Sequence, residues 1–135
     1  MLDKLYFDKT FKALGNTLDI LKQRHGLLAS NISNLDTPGY KPRDIDFKDA
    51  LSKALKSGGN SELTRTHPRH VQAGNDVSNS LEIVENTDAW NGLNHVNIDK
   101  EMTSLMENNL MYRTTVELLL KKISLLKEVI KEGGR

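Results

Sequence analysis

The chain contains no cysteine, which excludes disulfides, thiolate zinc sites and cysteine nucleophiles and fits either redox compartment. Aromatic residues make up 5%, too few for the stacked platforms that grip single-stranded nucleic acid. Neither charge sign dominates. Nineteen Lys and Arg against eighteen Asp and Glu leave a net charge of +1, without the basic excess of a nucleic-acid-binding protein. No stretch approaches the ~18 apolar residues of a membrane-spanning helix. The opening Met1–Lys9 run mixes both charges and lacks the cationic-then-apolar order of a secretory signal. Any exit from the cytoplasm is therefore expected to need no cleaved signal peptide. With 135 residues, of which 37% are hydrophobic, the chain has one domain's length and a lean core.

What is present is heptad order. Phe11, Leu14, Leu18, Leu21, His25, Leu28, Ile32 and Leu35 alternate by three and four residues, as the a and d positions of a helix spanning about Asp3 to Asp36. The helix must stop before Pro38, which pushes Thr37 out of the α region. Pro38-Gly39 suits the centre of a type II turn. Ile98, Met102, Leu105, Asn109, Tyr112, Val116, Leu119, Ile123, Leu126 and Ile130 repeat the same rhythm. Asn97 or Asp99 is placed to cap this second helix, and Gly133-Gly134 to end it.

The middle, from about Tyr40 to His95, differs in kind. Asp46 is expected to cap a short helix in which Phe47, Leu51, Ala54 and Leu55 share a face, ended by Ser57-Gly58-Gly59. Turn-forming residues then dominate, and Leu81 and Ile83 alternate with polar neighbours as in a short strand. The expected fold is mainly α, with long terminal helices in a coiled coil or helical bundle. A loop-rich middle carries the short helix and a short β element. The three parts are residues 1–36, 37–96 and 97–135.

A one-sided helix has no stability of its own in water. Met106, Leu110 and Leu120 flank the C-terminal seam, and Ile20 and Leu27 the N-terminal one; a simple hairpin would leave all five exposed. Apolar positions on seam and flank suit a bundle of more than two helices. The eight N-terminal seam residues, with Met102, Leu105, Asn109, Tyr112, Val116, Leu119, Ile123 and Leu126, are therefore the candidate subunit interface. Asn109 within that seam either fixes register or marks a locally solvent-facing stretch.

The junction after the first helix reads Leu28-Ala29-Ser30-Asn31-Ile32-Ser33-Asn34-Leu35-Asp36-Thr37-Pro38-Gly39-Tyr40-Lys41. It resembles the N-terminal signature of flagellar basal-body rod and hook proteins. Pro42-Arg43-Asp44-Ile45-Asp46-Phe47, the Thr64–His70 stretch and Asn94–Glu101 resemble the proximal rod subunits within that family, which include two types of similar size. Ser30, Ser33 and Leu35-Asp36 depart mildly from the usual signature. The resemblance implies a structural subunit of the proximal rod. It further implies export by the flagellar type III apparatus and residence in the periplasm beside the membrane ring and export gate. Its implied partners are other rod subunits, ring and export-gate junction proteins, and further copies of itself. Neither nucleic acid nor a membrane span is among them.

Other readings of the polar residues are weaker. Asn31, Asn34, Asp36 and Thr37 are read as helix-end and turn hydrogen bonders, with Tyr40 packing under the turn and Trp90 anchoring the middle on the helices. His67, His70 and His95 lack a carboxylate and a helix to orient them as a metal site. Asp76, Glu82, Glu85 and Asp88 are spaced like a solvated loop. No catalytic, metal or cofactor-binding residues are assigned. The alternatives are a helical adaptor or export chaperone binding partner helices, and a small hydrolase.

Overall fold

The computed structural model describes residues 2–57, 81–88 and 90–133, with side chains for residues 9–56, 81–88 and 90–133. In chain order the elements are α1 (Leu2–Ser33), β1 (Arg43–Ile45), α2 (Phe47–Ser57), β2 (Ile83–Glu85) and α3 (Ile98–Glu132). Both expected long helices form. They run antiparallel: Asn31 meets Glu101, the Leu21 carbonyl meets Asn108, and Phe11 lies beside Lys122. No helix among the described residues is long and apolar enough to cross a membrane.

α1 ends at Ser33, a few residues before the expected stop. The chain then tightens: the amides of Asn34, Leu35 and Thr37 bond to the carbonyls of Asn31, Ile32 and Asn34 at 3.0–3.2 Å. The Asn34 side chain also donates to the Ser30 carbonyl at 2.9 Å, offering the backbone a local alternative to another α turn. α3 starts where Asn97 caps it, its side chain accepting from the Lys100 amide. Asp99 and Glu101 lie in the first turn and Lys131 in the last, both favourable toward the helix dipole. Gly133 closes it through a bond to the Val129 carbonyl.

α2 begins as expected, with Asp46 Oδ1 accepting from the Asp49 amide at 2.9 Å. Its buried stripe is Ala50 and Ala54, with Phe47 and Leu51 half-buried beside them. Leu55, expected on that face, is 53% exposed. It lies eight residues past Phe47 and has rotated beyond the contact. β1 and β2 form a two-stranded antiparallel sheet with Asp44 opposite Val84. Its β2 side chains stay exposed.

The middle segment is a packing layer and not only a loop-rich insertion. Ile20, Ile45, Ala50 and Ala54 form one core cluster, with Leu27, Phe47, Leu51 and Leu81 against it. Ile20 and Leu27, the flank that a bare hairpin would expose, are thus covered by α2 and β1. Leu21 and Leu28 are buried in the chain as well, α1 dividing its apolar surface between two layers.

α3 is turned from its expected orientation. Its fully inward residues are Glu101, Asn108 and Thr115, one step before the a positions Met102, Asn109 and Val116. Asn109 is exposed, so the buried carboxamide is its neighbour. Leu105, Val116, Leu119, Ile123 and Leu126 are half-buried, whereas Ile98, Met102 and Tyr112 are 36–41% exposed and Ile130 is 72% exposed. The Asn31–Glu101 contact turns residue 101 toward α1 and carries the rest of the helix with it. Met106, Leu110 and Leu120 face outward as expected, at 60–67% exposure.

Asn108 donates to the Leu21 carbonyl at 3.0 Å, while its Oδ1 is buried without a partner among the described residues. A buried acceptor left bare costs about 1–3 kcal/mol, and an apolar replacement of similar shape removes that penalty. Asn108→Leu should therefore raise stability by about 1 kcal/mol, a few degrees in Tm. Thermal unfolding followed by circular dichroism checks this; a lower Tm would show that the carboxamide is net stabilising.

Candidate functional site

The candidate site is the junction where α1 turns into the middle segment. Pro38 and Gly39 sit at the centre of the turn, Gly39 has φ 70°, and the Tyr40 amide bonds to the Thr37 carbonyl at 3.3 Å. That matches the expected type II turn, whose third position needs a positive φ. The turn is clipped to the approach to α3. The Gly39 amide donates to the Leu93 carbonyl at 2.9 Å and the His95 amide to the Tyr40 carbonyl at 3.1 Å.

Asn31 is the centre of the junction. Only 1% exposed, it uses its carboxamide as a peptide group would. Oδ1 accepts from the Arg43 amide at 2.9 Å, and Nδ2 donates to the Arg43 carbonyl at 2.8 Å. The side chain thereby pairs with β1 on the side away from β2. Nδ2 also donates to Glu101 Oε2 at 2.8 Å, and the Tyr40 hydroxyl donates to Oδ1 at 3.2 Å. One side chain ties α1, the turn, β1 and α3 together. Of the residues expected to bond backbone at the helix end and in the turn, Asn34 serves the helix end: it bonds to the Ser30 carbonyl and accepts from the Thr37 hydroxyl.

Asn94, which sequence reading did not single out, closes the other side. It is fully buried, and its Nδ2 donates to the carbonyls of Leu35 and Thr37 at 2.5 and 3.1 Å. These are carbonyls just past α1, where intrahelical donors have run out. Its Oδ1 accepts from the Val96 amide and from Asn91 Nδ2, both at 2.9 Å. Gly92, with φ 94°, lets the Asn91–Asn94 loop fold on itself. The available signal was Asn91-Gly92-Leu93-Asn94, a turn composition immediately before a helix.

Charge reinforces the junction on its β1 side. Arg24 makes two 2.8 Å bonds to Asp44, with the guanidinium side chain 14% exposed. The Asp44 hydrogen bond raises its pKa against the opposing effect of burial, with further help from the charges of Asp44, Glu107 and Glu101. Lys53, an exposed group bonded to Asp49 and Glu82, is pushed up to about 12 and links α2 to the approach to β2.

The remaining sequence candidates fall into clear groups. Leu21 and Leu28 are buried within the chain, while Phe11, Leu14, Leu18, Ile32 and Leu35 are half-buried. His25, Asp36, Thr37, Pro38 and Gly39 are exposed. Trp90 does not anchor the middle: it is 60% exposed, its ring edge-on to His95 with centroids 5.0 Å apart. The Thr64–His70 stretch, with His67 and His70, and Asp76 lie outside the described residues.

These contacts make a clamp in which Asn31 and Asn94 hold backbone groups, and Asn31 also holds Glu101. Asn31→Ala would strip partners from the Arg43 peptide and from the buried Glu101, costing about 2–4 kcal/mol by the usual penalty for orphaned buried groups. Urea unfolding of the variant measures it. At Gly39 an added Cβ meets nothing within 4 Å, so Gly39→Ala should cost about 1–2 kcal/mol through backbone conformation alone. A loss above 3 kcal/mol in the same assay would point to a steric role.

No family model matches the chain. Curated relatives match it end to end. The flagellar basal body rod protein FlgB of Yersinia ruckeri is 34% identical over 140 residues, covering 98% of this chain and 100% of the relative. The protein of that name from Escherichia coli K12 is 33% identical over 141 residues, covering 99% and 100%. That of Bacillus subtilis is 33% identical over 130 residues, covering 94% and 97%. Full-length similarity at this level, on a chain whose signature turn and two long helices are in place, establishes that it belongs to the FlgB family of flagellar basal body rod proteins.

Proposed function

We infer that the chain is a non-enzymatic structural subunit of the proximal rod, polymerising through its terminal helices to carry torque from the membrane ring toward hook and filament. The observation that supports this most is the outer face of α3. Met106, Leu110 and Leu120 share one side of the 35-residue helix and are 60–67% exposed. A run of bare apolar residues on this scale marks an association surface. The clamp at the junction supports the same reading, because torque transmission needs a fixed angle between the helices and the middle segment. In this reading the partners are other rod subunits and the ring and export-gate junction. The chain reaches the periplasm through the flagellar export apparatus without a cleaved signal.

Deleting the gene should abolish motility and leave basal bodies without a rod, as seen by electron microscopy of isolated basal bodies. Complementation with Leu110→Asp/Leu120→Asp should fail although the variant folds, since both side chains already face water in the free chain. Motile deletion cells with normal rods would overturn the reading.

A further inference from the structure

Two surfaces among the described residues belong neither to the clamp nor to the outer face of α3 and carry opposite charge. One is a groove between α1 and α2, a cavity of about 310 Å³ lined by Lys9, Lys12, Ala13, Ala54, Leu55 and Lys56 with Asn16. The three ammonium groups have no ion-pair partner among the described residues, and Leu55 stands 53% exposed in their midst. The groove is basic with an apolar floor.

The other surface projects from the junction end of the molecule. Trp90 and Leu93 are 60% and 42% exposed, and Trp90 and Leu35 line one shallow apolar cavity with Val96 and Ile98. Asp36 follows Leu35, Asp99 follows Ile98, and Asp88 lies two residues before Trp90; all three are exposed and without an ion pair among the described residues. Lys100 follows Asp99 in the sequence. This surface is an apolar knob with an acidic rim. A bare tryptophan inside such a rim has the composition of an interface anchor.

We propose that the acidic knob around Trp90 docks into the basic α1–α2 groove of a second copy of this chain. This deepens the reading of the chain as an axial subunit and rests on it. Charge complementarity selects the occupant: Asp36, Asp88 and Asp99 meet Lys9, Lys12 and Lys56, while Trp90 and Leu93 cover Leu55 and the two alanines. At about 8 Å screening in physiological salt, these exposed charges steer and orient. The buried apolar area supplies the hold. Knob and groove are different surfaces, separated along α1 by residues 12 to 36, roughly 35 Å at helical rise. The contact is therefore heterologous: knob and groove lie on different surfaces of each copy, so the contact propagates without closing into a dimer.

The charge pattern allows a swap experiment on the full chain. Lys12→Glu/Lys56→Glu makes the groove acidic, and Asp36→Lys/Asp88→Lys makes the knob basic. All four positions are exposed, so folding should be unchanged by circular dichroism. In sedimentation velocity the wild type should self-associate in a salt-sensitive way, and each variant alone should associate at least tenfold more weakly. Their equimolar mixture should recover association, because each reversed knob then finds a reversed groove. In a chain free of cysteine, mixing Leu55→Cys with Leu93→Cys should give a disulfide dimer under mild oxidation that Leu55→Cys with Leu120→Cys does not. Unaltered association of the variants, no recovery on mixing, or equal cross-linking of both pairs would overturn the contact. So would a wild type that stays monomeric at high concentration. If that monomeric protein still restores motility to deletion cells, the axial role stands and the homotypic contact alone fails.

Discussion

The structure depends on one buried carboxamide. Asn31 stands at the last turn of α1 and makes hydrogen bonds that place β1, the turn and α3. A hydroxyl could not replace it, since the Arg43 peptide needs a donor and an acceptor side by side. An aspartate would supply acceptors only and face Glu101 with like charge. The local dielectric inside such a network strengthens each bond and penalises any that is lost. The junction is therefore stiff in the direction that matters for an axial protein: helices on one side, a projecting middle on the other.

The same contact explains why α3 presents itself as it does. By fixing Glu101 inward it aligns Asn108 and Thr115 behind it, one per heptad, and sends Met106, Leu110 and Leu120 outward. An isolated globular domain would do the reverse. In this chain the intramolecular contact between α1 and α3 is partly polar, and the apolar side chains of Met106, Leu110 and Leu120 are left exposed. Asn108, whose acceptor has no partner among the described residues, makes the internal contact weaker than an apolar side chain there would.

Much of this was legible in the residues. Heptad spacing located both long helices, because a 3.6-residue period is imposed by backbone geometry and needs no tertiary context. Asp46, Asn97, Pro38 and Gly39 marked caps and turn correctly, since each acts on backbone groups within a few residues. Leu55 and Trp90 were misread, one just beyond a packed stripe and the other exposed where an anchor was expected. Both errors concern which side of a surface is covered, a question that periodicity leaves open.

The sequence by itself determined the two long helices, the short helix, the Pro38-Gly39 turn and the family, because these are written in short-range chemistry and spacing. Only the tertiary structure decided that Asn31 bridges four segments and that Asn94 closes the end of α1. It also decided that α2 and β1 cover Ile20, and that Asn108 in place of Asn109 is buried. Each of these turns on contacts between residues far apart in the chain. A rotation of α3 by one residue turns its faces by about 100° without altering its pattern, so the Asn31–Glu101 contact and not the periodicity decides which face is covered.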